Sequence, residues 1–414
     1  MKFSVVKRIF IEYHGALIEV VMSKNEIKTD VTSGGFSRRQ FLSRSILATA
    51  LVGGWMTGGV SSALAQAPAE ELSYSPPALS DPNAWSLILI PDTQSYVKFG
   101  RNQGICELMT AWIAENKKKL NILTALQLGD LVEQNGLVES DLTEGNAAQV
   151  NQTSAQQWGA ISKAFSRLDG VLPYVVCTGN HDYGVRSAEN RSTQFPTYFP
   201  QNRNSTWNGV LVECCPNRNG AKTLENAAYA LKTPQGKDLL FISLEFAPSD
   251  PVLNWAKELV NRDAFKDHFA ILVTHSYMQC LARGQNLIEK EGYKVADANY
   301  GKAIWEKLIY PTQNIRMVFC GHIAGIKDPK ENIGFRQDKN HAGKIVSQML
   351  FDTQTLGGGW HGNGGDGWLR ILEFSPNFKT VSVRTFSPLF SISPSTQNLA
   401  WAQEDYNQFS FEID

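Results

Sequence analysis

Tyr174-Val175-Val176-Cys177-Thr178-Gly179-Asn180-His181-Asp182 is a short apolar run that passes directly into an amide, an imidazole and a carboxylate. The same layout occurs four more times. Residues 87–90 run into Pro91-Asp92-Thr93-Gln94, and 126–128 into Gly129-Asp130. Residues 271–273 run into Thr274-His275, and 318–320 into Gly321-His322. Apolar runs of four to seven residues bounded by such turns read as buried strands, here at 86–90, 122–128, 174–177, 239–244, 269–273 and 316–320. Helical spacing falls between them at 106–119, 155–168, 252–262 and 302–309. Alternating strands and helices predict an α/β fold. In such a sheet the carboxyl ends of the strands gather at one edge and form a ligand crevice. Asp92, Asp130, Asn180, His275 and His322 are therefore expected to converge, although 230 positions separate the first from the last.

The 414 residues are 43% hydrophobic and 19% charged, a globular balance that excludes a disordered or fibrous chain. Net charge is −1, so no basic excess is available for general nucleic-acid binding. The six cysteines contain no Cys-x-x-Cys pair, which argues against a zinc ribbon, and they are too few for a disulfide scaffold. The adjacent Cys214 and Cys215 would be strained if paired to each other.

Ser37-Arg38-Arg39-Gln40-Phe41-Leu42 precedes an apolar stretch at 46–60 and the small-x-small triplet Ala63-Leu64-Ala65. This arrangement resembles a twin-arginine export signal. The apolar stretch is shorter than the about 20 residues of a membrane span and is interrupted by glycines. The expected organisation is a signal segment at 1–65, a linker at 66–84 and one large domain at 85–414. Met22 offers a second start. Residues 66–414 carry 31 Lys and Arg against 36 Asp and Glu. The expected product is exported, periplasmic or secreted, without stable membrane insertion, and is a partner of the export machinery only in transit. Residues 344–386 change to three β-rich runs, read as a closing antiparallel portion. Residues 134–154 and 200–222 read as long surface insertions, and 357–367 as a Gly-rich loop.

Two carboxylates, an amide oxygen and two imidazoles form a mixed oxygen and nitrogen donor set suited to borderline divalent metals. A carboxylate can bridge two such ions, which bind an esterified phosphate and acidify a water for in-line attack. A nearby imidazole can protonate the leaving oxygen. Taken singly, Asp92 and Asp130 would be turn or cap residues and the histidines hydrogen-bonded core residues; the ordered set of five strand ends argues otherwise.

That ordered set resembles the calcineurin-like metallophosphoesterases, whose pattern is Asp-x-His, Gly-Asp, Gly-Asn-His-Asp/Glu, a lone His and Gly-His-x-His. The resemblance covers about residues 85 to 390. It implies a four-layer α/β/β/α sandwich and a metal-dependent phosphoric ester hydrolase, a phosphatase or phosphodiesterase acting on a phosphoester substrate. It further implies one or two divalent ions (Mn, Fe, Zn or Mg). Asp130 would bridge them; Asn180, His275 and His322 would complete one site, and Asp92 would belong to the other. His181 would sit near the leaving group, with Asp182 orienting it. The chain departs from the pattern twice: the family's histidines are Gln94 and Ala324 here. Both serve the ion held by the first Asp. For that ion four readings stand: Gln94 plus waters, a replacement ligand such as His341 or His361, a harder metal such as Mn or Mg, or no ion. The late segment, 349–354 followed by 364–370, is similar to a bacterial branch with the same Asp-Thr-Gln start. A different class of function is also open: a non-catalytic binding protein that keeps one structural ion. No Gly-x-Ser-x-Gly and no His-Glu-x-x-His occurs, which argues against a serine hydrolase and a zincin. Tyr96 and Tyr183, each close to an expected ligand, are expected to line the pocket.

Overall fold

The computed structural model describes residues 7–13, 16–23, 26–32, 74–146 and 148–414. The Arg38-Arg39 motif, the apolar stretch after it and the first part of the expected linker lie outside these residues. Strands β1 (Lys7–Tyr13), β2 (Ala16–Ser23) and β3 (Glu26–Thr32) form an antiparallel sheet of their own, in a unit separate from the one that carries the motifs.

The larger unit is mixed α/β with two mixed sheets. In chain order the first sheet opens with β4 (Trp85–Ile90), β5 (Ile122–Gln127) and β6 (Tyr174–Val176). The second sheet is formed by β7 (Leu211–Pro216), β8 (Lys222–Lys232), β9 (Asp238–Ser243), β10 (Phe269–Val273), β11 (Ile315–Cys320), β12 (Ile333–Lys339) and β13 (Ile345–Phe351). The chain then returns to the first sheet as β14 (Leu369–Phe374), β15 (Thr380–Phe386), β16 (Trp401–Ala402) and β17 (Phe409–Glu412). Strand order is β16-β15-β14-β4-β5-β6, with β17 also on β15, and β12-β13-β11-β10-β9-β8-β7. The motif strands are parallel neighbours: β4, β5 and β6 in one sheet, β9, β10, β11 and β13 in the other.

Parallel neighbours need a crossover. Helices α1 (Gln103–Asn116) and α2 (Ser154–Phe165) supply it in the first sheet, and α3 (Asp250–Asn261) and the short helical stretches Gly301–Ile304 and Trp305–Ile309 in the second. The start of α2 is fixed by a reciprocal cap: Gln156 N–H donates to Thr153 Oγ1, and Thr153 N–H to Gln156 Oε1 at 2.8 Å. The two faces of the second sheet diverge with period two. Phe241, Ile271, Val273, Met317, Phe319, Met349 and Phe351 join the core that contains the first sheet. Leu240, Ile242, Leu272, Val318, Cys320 and Leu350 pack instead with Leu253, Ala256 and Val260 of α3. Ser243 Oγ donates to Val176 O at 2.9 Å, linking the two sheets just below the motif loops.

Three expectations change. The run at 344–386 is not one antiparallel portion: β13 lies in the second sheet, parallel to β11, while β14 and β15 pair antiparallel with each other in the first sheet. The split follows from Val346 and Leu350 facing one core while Met349 and Phe351 face the other, a double burial that belongs inside a sheet flanked on both sides. The stretch 200–222 is not wholly a loop, because it contains β7 at the sheet edge. The end of the expected linker is bonded to the domain: Ser80 N–H donates to Glu373 at 2.8 Å, and Trp401 Nε1 to Ser75 O at 2.8 Å. All six cysteines are free and buried, Cys214 and Cys215 included. Among the described residues no helix is long and apolar enough to cross a membrane.

Candidate metal centre

Each expected ligand leaves a strand on a backbone held in place by its neighbours. The Thr93 and Gln94 N–H groups both donate to Asp130 O, at 3.0 and 2.9 Å, which ties the loop after β4 to the loop after β5. Asp130 (φ 50°) and His322 (φ 79°) both have left-handed backbones. Such conformations cost about 1–3 kcal/mol each for non-glycine residues and cluster where a site demands them. Two glycines permit the close approach. Gly129 has φ 112°, and a Cβ there would overlap His275 Nδ1; a Cβ on Gly321 would overlap Asp92 Oδ1.

These constraints bring four donor atoms together. His275 Nε2 is 3.1 Å from Asp130 Oδ2, 3.1 Å from Asn180 Oδ1 and 3.2 Å from His322 Nδ1. Ligand atoms of Asp130, His275 and His322 all lie within 4.8 Å of one another. The outer ring nitrogens are already used: His275 Nδ1 faces Leu128 O at 2.9 Å, and His322 Nε2 faces Glu291 Oε1 at 2.7 Å. An acceptor on the outside takes the one proton of a neutral ring, which leaves the inner nitrogen's lone pair for an ion. Asn180 Nδ2 donates to Ser187 Oγ at 2.9 Å, which turns Oδ1 inward. Four potential donor atoms then face one another in a largely buried space. This donor set fits a divalent cation of borderline softness.

Burial works against ionisation of Asp130, yet the charges of His275 and His181 outweigh it and hold the carboxyl well below its usual range. Burial would lower His275, but the Asp130 carboxylate outweighs it and raises the imidazole to about 8. Asp92 is pushed up by burial, then by the neighbouring Asp352 and Asp130 carboxyls.

The remaining expected residues take up distinct places. Asp92 accepts the His322 N–H at 3.1 Å and stands 3.9 Å from His275 Nε2. Gln94 Nε2 donates to Asp130 Oδ2 at 3.0 Å, and its buried Oε1 has no hydrogen-bond partner. His181 N–H donates to Asp130 Oδ1 at 2.9 Å, and its Nδ1 lies 2.7 Å from Glu133 O. Asp182 holds the loops rather than the His181 ring. Its carboxylate accepts the N–H groups of Gly179, Leu131 and Val132 at 2.8, 3.1 and 3.1 Å. The orienting contact on His181 comes instead from the Glu133 carbonyl.

His341 and His361 stand elsewhere, bonded to Tyr310 O and Asn146 O. Tyr96 and Tyr183 do not line the pocket. Both are fully buried, with Tyr96 Oη accepting the Gly367 N–H and Tyr183 Oη bonded to Glu225. The aromatic wall is Phe246 and Tyr293, whose ring centroids each lie 6.1 Å from that of His322.

Two residues were missed from sequence. Glu291 lies on an irregular segment with no periodicity to mark it. Asp352 follows β13 in the layout used to find the others, and Asp352-Thr353-Gln354 repeats Asp92-Thr93-Gln94 letter for letter.

No family model matches the chain. It is 25% identical over 331 residues to YvnB, an uncharacterised protein of Bacillus subtilis (strain 168), covering 80% of this chain. The match spans only 22% of that relative's length. Among solved structures it is similar to GAP50, the anchor in the inner membrane complex of Plasmodium. That similarity has 10% identity and a TM-score of 0.35, over 80% of this chain and 89% of the other.

Two outcomes follow for cation binding. Because His275 must lose its proton to bind an ion, apparent affinity rises with pH up to about 8 and levels off above it. The gain is about tenfold per unit while that proton is the competitor. Calorimetric Mn²⁺ titrations from pH 6 to pH 9 check this. Replacing Glu291→Ala frees the outer nitrogen of His322 and should weaken the same affinity about 10–100-fold without loss of fold.

Proposed function

We propose that the chain is a calcineurin-like metallophosphoesterase: an exported, metal-dependent phosphoric ester hydrolase. Its two sheets and flanking helices are then the four-layer α/β/β/α sandwich of that family. One observation carries the reading. Asp130 Oδ2, Asn180 Oδ1, His275 Nε2 and His322 Nδ1 come from the ends of four strands in two sheets and face one another, with both rings held lone pair inward.

A divalent ion bound by these residues would supply Lewis-acid binding of a phosphoryl oxygen and acidify a water for in-line attack. Asp130 presents Oδ2 to the histidines while its Oδ1 accepts the His181 N–H, so one carboxylate ties the donor set to the acid residue. His181 keeps Nδ1 against the Glu133 carbonyl, which leaves Nε2 for the substrate. Burial opposes a proton on this ring, but the Asp130 and Glu133 charges outweigh it and raise its pKa. The ring is thereby better able to keep a proton and pass it to a leaving alkoxide. Asp182 keeps the turn carrying Asn180 and His181 against the loop after β5. Phe246 and Tyr293 wall the histidines and limit the approach of water. Nothing in this arrangement calls for a covalent phosphoenzyme. Export rests on the residues at 37–65, and the substrate is a phosphomonoester or phosphodiester.

The absence of imidazoles at Gln94 and Ala324 favours a second reading, a non-catalytic protein retaining one ion. Hydrolysis of an aryl phosphomonoester and an aryl phosphodiester with Mn²⁺, beside Asp130→Asn, separates the two. The proposal expects turnover that the variant lowers by more than about a hundredfold. Undiminished turnover in Asp130→Asn contradicts it, and no turnover of either ester favours the binding protein.

A further inference from the structure

Lys98 is fully buried, and its Nζ lies 3.3 Å from Glu133 Oε2, on a side chain that is itself only 7% exposed. Lys98 closes the short helix Gln94–Val97, where its N–H donates to Gln94 O at 2.9 Å. Glu133 follows Asp130 on the loop after β5. The ion pair therefore joins the segments that carry Gln94 and Asp130. Taking two charges out of water costs more than burying an apolar pair of the same shape, so stability alone does not account for such a pair.

What Glu133 does with its backbone gives the pair a purpose. Its carbonyl faces His181 Nδ1 at 2.7 Å. The backbone leading to that carbonyl is held at three successive N–H groups. Leu131 and Val132 donate to the Asp182 carboxylate, each at 3.1 Å, and Glu133 donates to Gln157 Oε1 at 2.9 Å. Gln157 is fully buried on α2, and its Nε2 donates to Gln152 O at 2.9 Å. A residue held both by its N–H and by the end of its side chain leaves its carbonyl little room to turn. Lys98 supplies the second of these holds. A proton donor displaced by about 1 Å can lose about a hundredfold in rate, so the fixing of this carbonyl bears directly on His181.

We propose that Lys98 is a positioning residue for His181: its ammonium holds the Glu133 side chain, and the Glu133 carbonyl then holds the imidazole with Nε2 toward the leaving group. The inference rests on the reading of His181 as the proton donor of a phosphoester hydrolase. Lys98 acts at one remove, through Glu133, rather than on the ester. Its loss is therefore felt where the leaving group needs a proton. A nitrophenolate departs as a stable anion without one, whereas an alkoxide must be protonated as the P–O bond breaks.

Leaving-group dependence tests this on the whole chain with Mn²⁺. A nitrophenyl ester and an alkyl ester are compared in whichever class, monoester or diester, the wild type turns over. Lys98→Met keeps the apolar stem and removes the charge. Its ratio of alkyl to nitrophenyl kcat/KM should fall by about tenfold or more, in the same direction as that of His181→Ala, while Mn²⁺ affinity stays within about threefold of wild type. Glu133→Gln keeps the carbonyl and the side-chain shape but gives up the ion pair. It should lower the ratio too, and it carries the test if Lys98→Met does not fold. Equal loss on both esters marks the pair as a structural tie and overturns the proposal, as does an unchanged ratio at full activity. If His181→Ala leaves the ratio unchanged, the proton-donor assignment falls and this inference with it, while the metal centre stands. Wild-type protein that hydrolyses neither ester overturns the proposed function together with this inference.

Discussion

Two imidazole nitrogens, a carboxylate oxygen and an amide oxygen, each with a lone pair turned inward, repel one another unless positive charge sits between them. The chain spends much of its structure creating that situation. Leu128 O and Glu291 hold the outer sides of the two rings, and Ser187 holds the outer side of the amide. Asp130 and His322 accept left-handed backbones, and Gly129 and Gly321 remove the side chains that would obstruct them. Each feature is unfavourable or neutral by itself. Together they make sense as the preparation of a cation site.

The architecture serves the same end. Placing β4, β5 and β6 parallel in one sheet, and β9, β10, β11 and β13 parallel in the other, directs the carboxyl ends of seven strands to the linked loops. The cross-sheet bond from Ser243 to Val176 and the backbone bonds from Thr93 and Gln94 to Asp130 fix those loops relative to one another. Asp182 adds a third tie by accepting three backbone N–H groups from both sides of the crevice. Ligands far apart in sequence are thereby positioned by rigid elements rather than by flexible loops.

Much of this was legible in the sequence, because buried parallel strands leave strong apolar runs. The strand read at 269–273 is observed at Phe269–Val273, and that read at 316–320 at Ile315–Cys320. β8 was illegible for the opposite reason: Glu225 and Asn226 are buried on it, bonded to Tyr183 and to the Glu245 N–H, so its apolar pattern is broken. β7 and β12 are edge strands with half-exposed faces. Proximity to a ligand in sequence misled for Tyr96 and Tyr183, whose rings turn into the core. The Asp352 signal was present as a repeated tripeptide, but its place near Asp92 depends on the parallel pairing of β13 with β11, which local pattern does not reveal. Glu291 depends on the course of an irregular segment and had no signal at all.

The most direct measurement is a crystal structure of the chain equilibrated with Mn²⁺, with anomalous scattering collected to locate the ion. The account predicts an anomalous peak within bonding distance of Asp130 Oδ2, Asn180 Oδ1, His275 Nε2 and His322 Nδ1. A map with no peak among these four atoms, and with the two rings still in direct contact through a proton, would contradict it.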